Sequence, residues 1–246
     1  MNILIKIKFK LLYYYQLLIG QFNFYILDYF INILPYLNCD FSKYGIEESI
    51  AINGKKYSVH DPEYWDIMWK HWGDSKKNGK NYYQDISKFI ANKNDKLNIL
   101  EIGCGPGYLA ELLKFNNNIA SYVGVDISKA SINTCKTKLS SDDRFLFKVE
   151  NIEDTLNSLD DFDIIVAIDV LEHLPNNILN KLIYSINNTK KIFYFITPYL
   201  NYVPTPEHIQ VYSKVKLKHL FFQHQLSFLP YSNFKEICTS NDLLKN

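Results

Sequence analysis

The sequence has no surplus of charge of either sign. Its 246 residues include 27 lysines and arginines and 26 aspartates and glutamates, so the formal net charge is +1 at pH 7. A chain so close to neutral carries no overall field that would attract nucleic acid or an anionic membrane. No basic stripe runs along it either, and we therefore expect no nucleic-acid partner.

Closely spaced cysteines are also missing. The four cysteines lie far apart in the sequence, and no C-x-x-C pair occurs among them. Scattered cysteines of this kind are typical of a reducing compartment. We therefore expect a cytoplasmic protein.

An uninterrupted apolar run is the third absence. A transmembrane helix needs ~20 predominantly apolar residues, whereas polar residues such as Gln16, Gln21 and Asp28 interrupt the most apolar stretch, residues 11–34. A secretory signal would need a compact basic segment and a small-residue cleavage site, and neither is clear here. A helical stripe runs through the stretch and favours an amphipathic helix that packs on the following domain or on a partner. Attachment of residues 1–40 to a membrane surface and an extended or misassigned start are the alternatives.

What the sequence does contain is a strand, a glycine-rich turn and a helix in immediate succession. Leu97–Ile102 is a short apolar run of the kind that forms a strand buried in a parallel sheet. Gly103, Gly105 and Gly107 follow it, and then a helical pattern begins. Without Cβ atoms the turn can approach a ligand closely, and the helix N-terminus behind it presents free N–H groups. This arrangement is typical of the nucleotide-binding opening of a doubly wound fold.

The spacing of the glycines decides between ligands. A dinucleotide fingerprint, G-x-G-x-x-G, would place its third glycine where the sequence has Tyr108. A nicotinamide-dependent oxidoreductase is therefore disfavoured. Instead the turn reads E-x-G-x-G-x-G from Glu101, which resembles motif I of the class I S-adenosylmethionine-dependent methyltransferases. The resemblance implies that the turn wraps the amino-acid end of S-adenosylmethionine, that Glu101 helps to hold its amino group, and that Cys104 lies at the cofactor without a chemical role.

An acidic residue follows the second predicted strand. Residues 121–125 read as that strand, and Asp126 ends it. A carboxylate at this place can accept hydrogen bonds from both hydroxyls of a ribose. The family resemblance gives Asp126 that role, with Ile127 beside it in the cofactor site. The alternative is an N-cap for the helix predicted over residues 128–139.

The loop after the third predicted strand, Phe145–Val149, is the next match. In similar methyltransferases this loop holds the adenine, through a side chain at the position of Asn151 and through the backbone N–H of Ile152. Many relatives carry Asp where Asn151 stands. Asp154 is therefore the alternative residue for this role.

The fourth predicted strand runs into a fourth motif. Its residues Asp169, Val170, Glu172 and His173 closely resemble the D-x-L-E-H segment of many class I methyltransferases. Ligands of open α/β sheets bind beyond the carboxyl ends of the strands, so Asp169 and Val170 are expected at the cofactor. Imidazole titrates near neutral pH, which makes His173 and the later His208 the candidates for removing a proton from the methyl acceptor.

The same motif also has a metal-binding interpretation. Some relatives use an E-x-x-E-H segment and a later histidine to bind a divalent metal, which would orient acceptor hydroxyls and lower their pKa. In this chain the ligands would be Asp169, Glu172, His173 and His208, which suit Mg, Mn or Zn. The first acid is one methylene shorter than in those relatives. Most methyltransferases with D-x-L-E-H need no metal, so structural roles are the stronger expectation.

An aromatic segment precedes motif I. Residues 60–69 include Tyr64, Trp65 and Trp69, and they are similar to a segment that folds over the cofactor or substrate in small-molecule methyltransferases. The alternative is that these aromatics anchor an N-terminal helix to the core, which is the stronger expectation for any one of them.

Together the motifs predict one large domain with an extension. We expect residues 1–59 to form an aromatic, hydrophobic and mainly helical extension. Residues 60–246 should form a Rossmann-like methyltransferase domain whose doubly wound, mostly parallel sheet has seven strands. The resemblance implies S-adenosylmethionine as cofactor and in-line methyl transfer to an oxygen, nitrogen or carbon atom of a small molecule or biosynthetic intermediate.

One alternative comes from another functional class. The chain could be a non-catalytic cofactor-binding or scaffold protein, with the aromatic N-terminus as its interaction surface. The intact motifs at every cofactor position favour the enzyme. The N/D-P-P-Y/F signature of enzymes that act on amino groups and nucleobases is absent, which again disfavours nucleic acid as the acceptor.

Overall fold

The computed structural model describes residues 49–52, 55–58, 60–72, 82–139, 141–198, 210, 212, 214–230 and 235–240. All of these belong to one unit of the chain, Glu47–Asn246. The predictions for residues 1–40 and for His208 lie outside the described residues. None of the described helices has the length and apolar character needed to cross a membrane.

The described chain begins with a β-hairpin and a helix. Ser49–Ile52 (β1) pairs antiparallel with Lys55–Ser58 (β2), and Pro62–Trp72 (α1) follows. Tyr57 of β2 and Tyr64 of α1 form a small hydrophobic core of their own. The hairpin and α1 therefore share a small core, while Trp69 of α1 packs against the main core of the sheet.

The prediction of a helical extension is wrong for residues 49–52 and 55–58, which pair as the two strands of this hairpin. Ile52 pairs with Lys55 across two residues. Those two are Asn53 and Gly54, a dipeptide that strongly favours a two-residue hairpin turn. The turn chemistry at this point outweighs the hydrophobic composition on which the helical prediction rested.

One sheet of seven strands organises the rest of the described chain. The strands are Leu97–Ile102 (β3), Ile119–Asp126 (β4), Phe145–Val149 (β5), Ile164–Ile168 (β6), Ile192–Pro198 (β7), Leu226–Pro230 (β8) and Lys235–Ser240 (β9). They lie in the order β5-β4-β3-β6-β7-β9-β8. Strands β3 to β7 pair in parallel, whereas β9 pairs antiparallel with β7 and with β8.

The strand order reverses beside β3. The chain runs outward from β3 through β4 to β5 and then returns to the other side of β3 at β6. A ligand crevice opens at such a reversal, at the carboxyl ends of the strands. The doubly wound α/β fold predicted from the sequence is confirmed by these five parallel strands.

Helices pack on both faces of the sheet. They are Tyr82–Ala91 (α2), Tyr108–Leu113 (α3), Lys129–Leu139 (α4), Ile152–Thr155 (α5), Asn176–Asn188 (α6) and Lys214–Leu220 (α7). Buried residues of α2, α3 and α4 share a core with Leu97 and Ile99 of β3, whereas those of α6 and α7 share a core with Leu100 and Ile102. Because both faces of β3 are buried, apolar residues occur at positions that face both sides of the sheet, which differs from the alternating pattern of a half-exposed strand.

Arg144 joins three segments at the opposite end of the sheet from the crevice. Its Nη2 donates to the carbonyl oxygen of Lys114 at 2.6 Å, and its Nη1 donates to those of Asn116 at 2.9 Å and Ile119 at 3.4 Å. Its guanidinium also binds the Asp142 carboxylate at 2.6 Å, which lowers the pKa of Asp142. One side chain thus holds the turn after α3 against the beginnings of β4 and β5.

We expect the substitution Arg144→Ala to lower the free energy of unfolding by about 1–3 kcal/mol, because several carbonyl oxygens and a carboxylate lose their charged donor. Urea unfolding followed by circular dichroism measures the change. The matched control is Lys148→Ala on the exposed part of β5, which should stay close to the wild type. Equal stabilities of the two variants would contradict a structural role for Arg144.

Candidate active site

A cleft opens at the carboxyl ends of the parallel strands, where the sheet order reverses. It holds about 1050 Å³ of space, including open solvent at its mouth. Nine of the residues predicted for the cofactor or for catalysis line it: Gly103, Gly105, Asp126, Ile127, Asn151, Ile152, Asp169, Val170 and His173. Four motifs spread over 71 positions of the sequence, 103 to 173, therefore meet at one cleft.

The glycine turn after β3 forms the floor of the cleft. Gly103 and Gly105 have φ angles of +67° and +51°, a conformation that favours glycine. A Cβ atom on Gly103 would lie 2.5 Å from Cγ2 of Val170, and one on Gly105 would lie 2.8 Å from Cζ2 of Trp69. The turn is therefore held between the loop after β6 on one side and helix α1 on the other.

Asp126 at the end of β4 connects the turn to the next helix. Its Oδ2 accepts from the backbone N–H of Gly105 and its Oδ1 accepts from that of Ser128, both at 2.8 Å. Burial raises the pKa of Asp126 to about 6, although these two hydrogen bonds act in the opposite direction. The side chain that caps helix α4 belongs to Ser128, whose Oγ accepts from the N–H of Ser131 at 3.1 Å. Ser128 and not Asp126 is therefore the N-cap of α4, and the Asp126 carboxylate lines the cleft.

Helix α1 forms one wall of the cleft. Asp66 fixes it in place, because its Oδ1 accepts from the hydroxyl of Ser128 at 2.7 Å and from the N–H of Ala130 at 2.9 Å. A carboxylate is favourable at the N-terminus of a helix. Trp65 and Trp69 of the same helix line the cleft, whereas Tyr64 is buried in the small core. Both alternatives considered for the aromatic segment therefore apply, but to different residues. Trp65 and Trp69 lie at the cleft, whereas Tyr64 anchors the helix to the small core.

Asp169 has an unusual backbone at the end of β6. Its φ angle is +52°, which is uncommon for a residue other than glycine and is concentrated at functional sites. Its N–H donates to the carbonyl oxygen of Ile196 at 2.9 Å, and its Oδ2 accepts from the Tyr82 hydroxyl at 2.7 Å. His173 also lines the cleft. Its ring packs edge-on against that of Trp65, with the two ring centroids 4.9 Å apart.

Three predicted cofactor residues, Glu101, Cys104 and Gly107, do not line the cleft. Glu101 accepts a hydrogen bond from the hydroxyl of Tyr122 and is 1% exposed. Burial raises its pKa to about 8. Side chains alternate along a strand, and this alternation directs Glu101 into the core on the same side as Ile99 rather than toward the cleft.

Cys104 and Gly107 are buried between the turn and helix α4. The Sγ of Cys104 lies 3.6 Å from the carbonyl oxygen of Gly105, and burial raises the pKa of this thiol. A Cβ atom on Gly107 would lie 3.0 Å from Sγ of Cys135. Both residues therefore support the turn on the side that faces helix α4.

The predicted metal ligands are not brought together by the described residues. No group of three or more His, Cys, Asp and Glu side chains among them could hold a metal ion. Glu172 is 1% exposed and its Oε2 accepts from the hydroxyl of Thr197 at 3.1 Å. Asp169 instead meets Tyr82, and His208 lies outside the described residues.

Several further residues of the site were not predicted individually from the sequence. His60, Tyr83, Glu150 and Ile178 also line the cleft, and Tyr82 reaches Asp169 from helix α2. The sequence of α2 predicts only a helix leading into β3. Its two adjacent tyrosines were the one available signal, since their polar ends need partners when the rings are buried.

Residues 100–188 match the family model described as a methyltransferase domain. The matched segment is similar to a methyltransferase domain. It contains the glycine turn, Asp126, Asn151 and the loop at Asp169, so the resemblance found in the motifs is confirmed at the level of the domain. No curated protein sequence matches the chain.

Solved structures show that the methyltransferase domain shares a known fold. The PH0226 protein of Pyrococcus horikoshii OT3 superposes with a TM-score of 0.57 at 16% identity, covering 73% of this chain and 98% of that one. Magnesium protoporphyrin IX methyltransferase of Synechocystis PCC 6803 with bound SAM gives 0.54 at 14% identity, covering 72% and 89%. An S-adenosylmethionine-dependent methyltransferase of Clostridium acetobutylicum ATCC 824 gives 0.53 at 15% identity, covering 72% and 99%.

The contact between Gly103 and Val170 can be tested by a double-mutant cycle. We expect Gly103→Ala to lower the free energy of unfolding by about 1–3 kcal/mol, since the new methyl group meets Val170 in a strained backbone. Removing the two Val170 methyl groups makes room, so the loss should be smaller in a Val170→Ala background. Urea unfolding of the four proteins gives the coupling energy. Strictly additive effects would show that the two residues are not in contact.

Proposed function

We propose that this chain is an S-adenosylmethionine-dependent methyltransferase that acts on a small molecule or biosynthetic intermediate. The observation that carries the proposal is the Asp126 carboxylate, which lines the cleft and binds the N–H of the glycine turn. A carboxylate in this place suits a ribose diol. The methyltransferase domain and the solved structures of the same fold support the same conclusion.

The residues of the cleft fit the three parts of this cofactor. Asp126 would accept from the ribose hydroxyls. Asn151 would meet the adenine amine, because its side chain makes no capping hydrogen bond to α5, and the N–H of Ile152 in the first turn of that helix would meet a ring nitrogen. The Gly103 turn and Asp169 would hold the amino-acid end. The two lie close together, because a Cβ atom on Gly103 would meet Val170, the residue after Asp169.

The bound cofactor supplies a methyl group activated on a sulfonium. The chain must then align the acceptor, exclude water and, for an acceptor that loses one, take up a proton. Trp65 and Trp69 exclude water along the wall formed by α1. His173 is the group we propose for the proton, because its imidazole lines the cleft. His60 at the start of α1 lines the same cleft and is a second imidazole within it.

The charges of the cleft narrow the class of acceptor. Its described lining includes the acids Asp126, Glu150 and Asp169 but neither lysine nor arginine. Among these residues a carboxylate or phosphate on the acceptor would meet no lysine or arginine with which to pair. We therefore propose a neutral or cationic acceptor whose methylated atom is an oxygen, nitrogen or carbon.

Calorimetric titration with S-adenosylhomocysteine tests the cofactor. We expect wild-type protein to bind with a dissociation constant near 1 µM, about −8 kcal/mol, and Asp126→Ala to lose this binding. Asp161→Ala is the matched control, because Asp161 is exposed and does not line the cleft. Absence of binding to the folded wild type would overturn the proposal, and a nicotinamide cofactor would be titrated next.

The raised pKa of Asp126 predicts how this affinity depends on pH. Only the ionised carboxylate accepts from two hydroxyls, and Asp126 ionises as the pH rises through about 6. Affinity should therefore be constant above about pH 7 and fall about tenfold for each pH unit well below about pH 6. Titrations from about pH 5 to about pH 8 measure the curve. Asp126→Asn should flatten it, and an unchanged curve in that variant would assign the titration to another group.

A further inference from the structure

The hydroxyl of Tyr82 makes a hydrogen bond that reaches the cleft from outside it. We propose that Tyr82 is a positioning residue, which fixes the Asp169 carboxylate so that it can receive the ammonium group at the amino-acid end of the donor. This inference rests on the proposed function. It concerns a residue that no motif includes and that does not itself line the cleft.

The contact joins two distant parts of the chain. Tyr82 is the first residue of α2, and its ring is 2% exposed. Its hydroxyl donates to Oδ2 of Asp169 at 2.7 Å across a separation of 87 residues. Burial and the nearby Asp169 carboxylate raise the pKa of Tyr82 far above its usual range. The hydroxyl therefore stays protonated at neutral pH and can donate to the Asp169 carboxylate.

Asp169 needs such support because of its backbone. A φ angle of +52° costs about 1–3 kcal/mol for a residue with a side chain and persists only where surrounding contacts impose it. The N–H of Asp169 is held by the carbonyl oxygen of Ile196 at 2.9 Å. Tyr82 holds the other end of the residue, its carboxylate. The two contacts together determine where the negative charge lies.

The position of the Asp169 carboxylate indicates which group of the cofactor it would bind. Val170, the next residue, lies against the glycine turn, since Cγ2 of Val170 would be 2.5 Å from a Cβ atom on Gly103. Asp169 lines the cleft beside it. A carboxylate partly removed from water attracts a cation strongly, and in the proposed cofactor the amino group is the cation at this end.

Two ligands that differ only at the amino-acid end test the proposal without knowledge of the acceptor. S-adenosylhomocysteine has the amino and carboxyl groups, whereas 5′-methylthioadenosine keeps the nucleoside and thioether and lacks both. We expect Tyr82→Phe to weaken S-adenosylhomocysteine about tenfold and to leave 5′-methylthioadenosine unchanged. Tyr184→Phe, at a site 73% exposed, is the matched control and should bind both ligands as the wild type does.

A double-mutant cycle shows whether Tyr82 acts through Asp169. Asparagine tolerates a positive φ angle, so Asp169→Asn removes the charge while keeping the backbone. It should weaken S-adenosylhomocysteine selectively. Tyr82→Phe should then add little in the Asp169→Asn background, because residues that act as a unit are not additive.

Each outcome of the titrations has a separate meaning. Failure of the folded wild type to bind either ligand overturns the proposed function itself. If the wild type binds and Tyr82→Phe loses both ligands equally, or loses neither, the positioning role is overturned. Should Tyr82→Phe not fold, Asp169→Asn decides, since the proposal requires its loss to be confined to S-adenosylhomocysteine.

Discussion

The site depends on the hydrogen bonds that Asp126 makes to two backbone N–H groups. Through Gly105 it holds the glycine turn after β3, and through Ser128 it holds the beginning of α4. Asp66 binds the hydroxyl of the same Ser128, so the wall formed by α1 is fixed at this point as well. The floor, one wall and the proposed ribose acceptor therefore share one small network. A change at any of its members should be felt by the others, since hydrogen-bonded groups of this kind act together.

A second network fixes the other side of the cleft. There the loop after β6 brings Asp169 to the glycine turn, with its backbone held by β7 and its carboxylate held by α2. Each network contains an acid whose carboxylate accepts from a distant segment, from Gly105 in the case of Asp126 and from Tyr82 in the case of Asp169. The fold supplies this arrangement because parallel strands deliver their carboxyl ends to one edge, and the reversal of strand order leaves a gap between two of them.

Local patterns in the sequence predicted the parts of the site whose chemistry is local. The turn at Gly103 and Gly105, the acid that ends β4 and the segment from Asp169 to His173 each follow directly from a strand, and each lines the cleft. The direction of the Glu101 side chain was not predicted, because a motif specifies the residue type alone. The alternation of side chains along β3 determines that it points into the core. The pairing of residues 49–52 with 55–58 was missed because composition was weighed above the turn signal that Asn53 and Gly54 give in the sequence. The contacts of Tyr82 and Asp66 could not be predicted, since their partners lie 87 and 62 residues away. Sequence periodicity carries no information about contacts between such distant residues.

Helix α1 has one further consequence for how a ligand enters. Asp66 bonds this helix to α4, and Trp69 packs it against the glycine turn. The entropy needed to order this wall is therefore spent when the protein folds and not when a ligand arrives. A preorganised wall of this kind favours tight binding without a closing movement. Arrival and departure should then be governed by the width of the opening, and a bulky acceptor would enter more slowly than a small one.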